Sequence, residues 1–255
     1  MEKRNIQQKT TGKKKRRKKL HPLFGPLHPW RECPIGQHWV RPHLRVGTKG
    51  VKGFCRNNSS GRDQIYVPEI KKITENEFGN LKGPPCSYDL GFSDGNEYDL
   101  LIRGWAKYWN EIFQPTDPLD PDLVKALVAT ESGFRSNIKK RAGKRAGWAR
   151  GLLQVTDWTQ EILQDEEGEL GDHLVNVDQQ DMFEPSANLA AGIRWLFRKR
   201  ETASTKLKRQ ATWEEAIADY KSYLSDMKKG KIPRSMKDLR TFYERLKEKC
   251  KESVE

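Results

Sequence analysis

From residue 97 onward the chain follows a period that a helix satisfies and a strand does not. Tyr98, Leu101, Ile102, Trp105, Trp109, Ile112 and Phe113 recur at helical spacing, so they share one face. Pro115 and Pro118 end that segment. Pro121 then opens a second helix at its first turn, with Asp120 as N-cap, and Leu123, Val124, Leu127 and Val128 lead to Glu131. Further helix starts fall near Asp157, Pro185 and Thr212, where Thr212-Trp213-Glu214-Glu215 forms a capping box. The last helix is expected from Pro233 to Glu248, with Leu239, Phe242, Tyr243 and Leu246 on one face. The expected fold class is mainly α over residues 97–250, without internal repeats. No stretch approaches the ~18 apolar residues of a membrane span.

The part before residue 97 is different. Residues 1–58 hold 16 Lys/Arg and 2 Asp/Glu, whereas the remainder holds 32 Lys/Arg and 33 Asp/Glu. The whole basic excess is therefore N-terminal. Residues 1–20, with the run Lys13 to Lys19, have no apolar face and are expected to be a disordered basic tail. Such a tail attracts any polyanion, nucleic acid and anionic lipid included, so charge does not choose the partner. Its charged start resembles a signal peptide, yet Leu20 to Pro26 is broken by Pro, Gly and His where the apolar core belongs. The ordinary secretory route is not visible in this pattern.

Residues 21–58 are expected to form a small basic β module, with strands over His38–Arg45 and Val46–Val51 around a Gly-rich turn. Cys33, His38, His43 and Cys55 are metal-ligand types, but their spacing fits no zinc pattern. A hairpin stapled by one disulfide, or one carrying free thiols, is the expected form, with no metal. Residues 59–96 are rich in Asn, Ser, Gly and Pro and read as a linker with one strand near Ile65.

Four clusters carry chemistry. In Thr130-Glu131-Ser132-Gly133-Phe134 a carboxylate stands at the end of an apolar helix. Held against apolar walls, such a group is favoured in its neutral form and can donate a proton to a leaving oxygen. Taken alone, a glutamate at a helix end is usually a solvated charge. Gly147-Trp148-Ala149-Arg150-Gly151-Leu152-Leu153-Gln154-Val155 brings a Gln whose amide can bond a sugar hydroxyl or acetamide. Without a ligand, the same segment is a turn followed by a buried strand. Residues Glu184 to Leu196 form a helix rich in Ala and Gly, which lets a neighbour pack closely. In Ala216-Ile217-Ala218-Asp219-Tyr220, Tyr220 is either a core ring or a site residue.

In this order, Glu131-Ser132, Gly151-Leu152-Leu153-Gln154, Asn188 to Gly192 and Ala218 to Tyr220 resemble the soluble lytic transglycosylase domain, related to goose-type lysozyme. The resemblance spans roughly residues 97–225. It implies a lysozyme-like helical domain acting on peptidoglycan glycan strands. Glu131 is then the single acid/base, Ser132, Gly151, Leu153, Gln154 and Tyr220 bind substrate, and no cofactor is needed. It also implies action at the cell wall or periplasm of a bacterium. Delivery by a phage particle, through a holin or by a dedicated secretion machine fits the absent signal pattern, and the basic segment then binds an anionic polymer or that machine.

The sequence departs from the family in three places. Leu153 replaces the usual Met, and Lys221 stands where the family has Asn. The stretch before Gly151 is longer and carries Lys139, Lys140, Arg141, Lys144 and Arg145. That stretch is either a loop over the cleft, sensing anionic stems or polymers, or a plain solvated loop. No Asp or Glu lies between Ser132 and Val155, where goose-type hydrolases keep supporting aspartates. The resemblance therefore implies ring closure to a 1,6-anhydro sugar. Hydrolysis assisted by Asp157, Asp178 or Asp181 is the first alternative, and a polyanion-binding protein with a degenerate lysozyme-like domain is the second.

Overall fold

The computed structural model describes residues 30–44 and 50–252. The basic tail of residues 1–20 lies outside them. Strand β1 (Gln37–Val40) pairs antiparallel with β2 (Phe54–Asn57). Next come β3 (Gln64–Tyr66), α1 (Val67–Glu77), α2 (Asp99–Phe113) and α3 (Pro121–Glu131). The strands β4 (Lys139–Gly143), β5 (Gly147–Arg150) and β6 (Val155–Thr156) form one antiparallel sheet. Helix α4 (Asp157–Gln164) leads to β7 (Leu174–Asn176), which pairs parallel with β3. The chain finishes with α5 (Pro185–Leu207), α6 (Trp213–Tyr220), α7 (Leu224–Lys228) and α8 (Arg234–Glu252). The fold is mainly helical, with small strand modules at its edges.

Helix α5 is the axis. Every residue from Ser186 to Phe197 is buried, so this helix is enclosed on all sides. Its small residues make that enclosure possible. A Cβ on Gly192 would stand 2.5 Å from Leu153 Cδ1. Helix α2 lies across α5 and bonds to it through two indoles: Trp105 Nε1 donates to Ser186 Oγ at 2.8 Å and Trp109 Nε1 to the Ala190 carbonyl at 2.9 Å. Helix α3 begins as its sequence directs, with Asp120 accepting from the Asp122 amide at 2.9 Å. Helix α8 is fixed against α3, with Tyr243 donating to Asp120 at 2.8 Å and a disulfide joining Cys250 to Cys86.

Three sequence expectations change. The second strand of the N-terminal hairpin is β2, later than Val46–Val51, with only a bridge between His43 and Val51. The Cys33–Cys55 disulfide and the packing of Trp39 over Gly53 set that register. The β module expected over residues 21–58 is also not detached from the rest, from Trp30 onward. Trp30 is buried in the same core as α2, edge-on to Phe78 and Tyr108. Beside it, buried Arg31 pairs with Asp63, which also bonds His173 at 2.9 Å. Removing one member of a buried pair of this kind costs about 3–5 kcal/mol.

Finally, residues 59–96 hold β3 and α1 rather than a linker alone. Pro68 lies in the first turn of α1, and Ile70, Ile73 and the following Phe78 reach the core. So few apolar anchors in a polar stretch gave no visible helical period.

Candidate active site

Glu131 is the last residue of α3, and the chain turns away through Gly133 at φ 58° and Phe134 at φ 62°. This reversal leaves the carboxylate in the wall of a cleft of about 410 Å³. Gln154, Trp195, Tyr220, Lys221, Tyr223 and the β4 residues Lys140 and Arg141 share that wall. A larger groove of about 990 Å³ beside Cys86 and Cys250 has no lining residue in common with it.

The Gly151–Gln154 segment is a tight turn held from two sides. Gly151 has φ 72°, where glycine is the unstrained residue, and a Cβ there would meet Asn188 Nδ2 at 2.4 Å. Fully buried Asn188 donates to the Arg150 and Met182 carbonyls, both at 2.9 Å, and accepts from the Leu153 amide at 2.8 Å. From the other side, the Tyr220 hydroxyl donates to the Leu153 carbonyl at 2.6 Å. Gln154 itself has φ 48° and donates through Nε2 to the Gly151 carbonyl at 2.8 Å. Its Oε1 is buried and has no hydrogen-bond partner among the described residues.

Glu131, Gln154 and Tyr220 therefore come together in one cleft. The other expected contacts do not reach it. Ser132 is buried, with Oγ bonded back to the Val128 carbonyl at 3.2 Å. Gly151 and Leu153 lie behind the wall, where they shape the turn that presents Gln154. Lys221 was visible in the sequence only as a departure from a motif. Its Nζ makes an ion pair with Glu131 Oε1, with the lysine side chain 6 % and the glutamate side chain 16 % exposed. The surroundings of Glu131 are thus charged on one side, not purely apolar. Burial, and next the Glu131 carboxylate, raise the Tyr220 hydroxyl well above its ordinary range, so it remains a neutral donor.

The downstream aspartates are engaged elsewhere. Asp157 accepts from the Trp148 amide at 2.7 Å and pairs with Arg150. Desolvation pushes its carboxyl up, but the hydrogen bond from Arg150 and the Trp148 amide outweigh this and hold it below its usual value. Asp178 accepts from the amides of Gln180 and Asp181 at 2.8 and 2.9 Å. Asp181 accepts in return from the Asp178 amide at 3.4 Å. None of the three lines the cleft, and no group of His, Cys, Asp and Glu among the described residues could hold a metal ion.

The Transglycosylase SLT domain family matches residues 109–236, half of the chain. The chain belongs to that family, within the lysozyme-like superfamily, and the membership assigns it to peptidoglycan. Comparison with curated proteins and with solved structures gave no match. No helix among the described residues is long and apolar enough to cross a membrane.

Proposed function

We propose that this protein is a peptidoglycan lytic transglycosylase. It cleaves the β-1,4 bond between N-acetylmuramic acid and N-acetylglucosamine, with Glu131 as acid and then base. One observation carries this reading: among the described residues, Glu131 is the only carboxylate in the cleft wall. Glycosidases that deliver water or form a glycosyl ester use a second carboxylate, about 5–9.5 Å from the first. Here Asp157, Asp178 and Asp181 are bonded outside the cleft.

Glu131 in its acid form protonates the glycosidic oxygen as the C1–O bond breaks. The substrate's own acetamide oxygen takes up the charge developing at C1. The carboxylate then removes the proton of the C6 hydroxyl, whose oxygen bonds to C1 as the acetamide leaves. Glu131 ends protonated, as it began, and no water is consumed. Because Lys221 engages Oε1, the proton travels on Oε2. Gln154 lines the cleft and its side-chain amide binds a sugar hydroxyl or acetamide, while Tyr220 holds the turn that carries it. The setting of action is the cell wall or periplasm, reached by phage, holin or a dedicated secretion machine.

The test is the product. Digested sacculi should release muropeptides one water lighter than a hydrolase gives, and borohydride should leave them unreduced. Glu131→Gln should lose about 10²–10⁴-fold in rate; because it also takes the carboxylate partner from the nearly buried Lys221, its melting temperature should fall, and the rate is read well below it on folded protein. Mainly reducible ends would make the protein a muramidase. Salt-dependent binding to walls without any release of fragments would make it a binding protein.

A further inference from the structure

The stretch between Ser132 and Val155 carries Lys139, Lys140, Arg141, Lys144 and Arg145 and no acid. It is an ordered antiparallel hairpin, with Lys139 opposite Arg150, Lys140 opposite Ala149 and Arg141 opposite Trp148. Every β4 residue is exposed, and so are Lys144 and Arg145 in the turn. Among the described residues none of the five basic groups has a carboxylate in an ion pair, although fourteen other Lys and Arg side chains of the protein do.

Instead, two of them lie over an exposed ring. Lys139 Nζ is 4.6 Å and the Arg141 guanidinium 5.4 Å from the centre of Trp148, which is 38 % exposed. Arg145 lies 5.4 Å from Trp158, whose ring meets that of Trp195 in the cleft wall. Lys140 reaches inward to the Glu131 carbonyl at 3.3 Å. A row of cations that form no ion pair among the described residues thus runs from the cleft wall to a hairpin tip.

We propose that this hairpin recognises the free carboxylates of the peptide stems on a glycan strand bound over Glu131, so that the enzyme favours stem-bearing strands over stripped ones. This rests on the function proposed above. A stem is covalently attached to the muramic acid at the cleaved bond, so its carboxylates must pass the cleft wall that Lys140 and Arg141 line. An independent phosphate-bearing wall polymer has the same charge but no such tether. Each exposed ion pair contributes little, and two or three acting together change binding about tenfold. The effect must fade in salt, since the screening length falls to about 3 Å at 1 M.

The full chain and its Lys139→Gln/Lys144→Gln/Arg145→Gln variant, which leaves the cleft-lining Lys140 and Arg141 in place, are compared on three preparations of one wall. These are stem-bearing strands, strands stripped by an amidase, and stem-bearing strands freed of teichoic-type polymer. The expected result is a KM about tenfold higher for the variant on both stem-bearing preparations, with equal rates on stripped strands and the difference gone at 1 M salt. Equal losses on stripped and stem-bearing strands would overturn the proposal. So would a defect that disappears once the phosphate polymer is extracted. If the parent chain cleaves none of the three, the proposed function fails. Co-sedimentation then still tests the hairpin: weaker retention of the variant on stem-bearing strands alone supports it, and equal retention overturns it.

Discussion

Replacing Asn188 by Ala removes the peg on which the Gly151–Gln154 turn hangs. The side chain is fully buried and serves three backbone groups: the Leu153 amide and the Arg150 and Met182 carbonyls. Leaving a buried backbone group unpaired costs about 1–3 kcal/mol. Carbonyls keep a second lone pair for other partners, so the three together are expected to cost about 3–6 kcal/mol. A domain with only ~5–15 kcal/mol of total stability loses a large part of it. Asn188→Asp is the sharper probe. It keeps the acceptor for Leu153 but turns a carboxylate oxygen toward two carbonyls, so it should cost at least as much as Ala. Urea unfolding of the disulfide-intact chain measures both. With a slope of about 1–3 kcal/mol per M, the midpoint should fall by about 2 M at unchanged slope. A loss below about 1 kcal/mol, or an Asp variant as stable as the parent, would refute the account of the turn.

Two other substitutions test neighbouring claims. Tyr220→Phe deletes the 2.6 Å bond to the Leu153 carbonyl. Stability should fall by about 0.5–1.5 kcal/mol and turnover should fall with it, because the turn presents Gln154; lost turnover at an unchanged melting temperature would contradict the tether. Glu69 probes pH, since burial, against the pull of Arg31, pushes its carboxyl from 4.5 up to about 7. A carboxyl raised in the folded state binds its proton there first, so its contribution is fully present below pH about 4.5 and is lost as pH rises to about 7. Glu69→Gln should therefore flatten the fall in melting temperature between pH 4.5 and 8 and gain on the parent at the upper end. A parallel pair of curves would remove Glu69 as the cause.

The legible parts of this chain are those where a local rule and the tertiary structure agree. Asp120-Pro121 and Thr212 to Glu215 mark helix starts by capping chemistry, and α2 by its row of aromatic residues. Helix α1 escaped because a helix of 11 residues needs few anchors once the core supplies the rest. Strand β4 escaped because its side chains are cationic or small, and no face of it alternates apolar with polar. At the cleft, ordered motifs placed Glu131, Gln154 and Tyr220 together but did not separate wall from scaffold. Ser132, Gly151 and Leu153 belong to the scaffold, a distinction made by the direction of side chains. The Lys221–Glu131 pair spans 90 positions, and no local pattern encodes it.

The Cys86–Cys250 bond closes a covalent ring of chain, 164 positions apart at its ends. Glu131, the cationic hairpin, the Asn188 peg and Tyr220 all lie inside that ring. A single peptide cut anywhere within it opens the ring without releasing a fragment, so the two pieces remain one molecule with α3 and α8 still joined. The ring also narrows the unfolded ensemble, which for loops of more than a hundred residues is worth about 5 kcal/mol in the chain-entropy account. Reduction withdraws both protections together. The same polypeptide is therefore a tougher object where thiols are oxidised than where they are kept reduced.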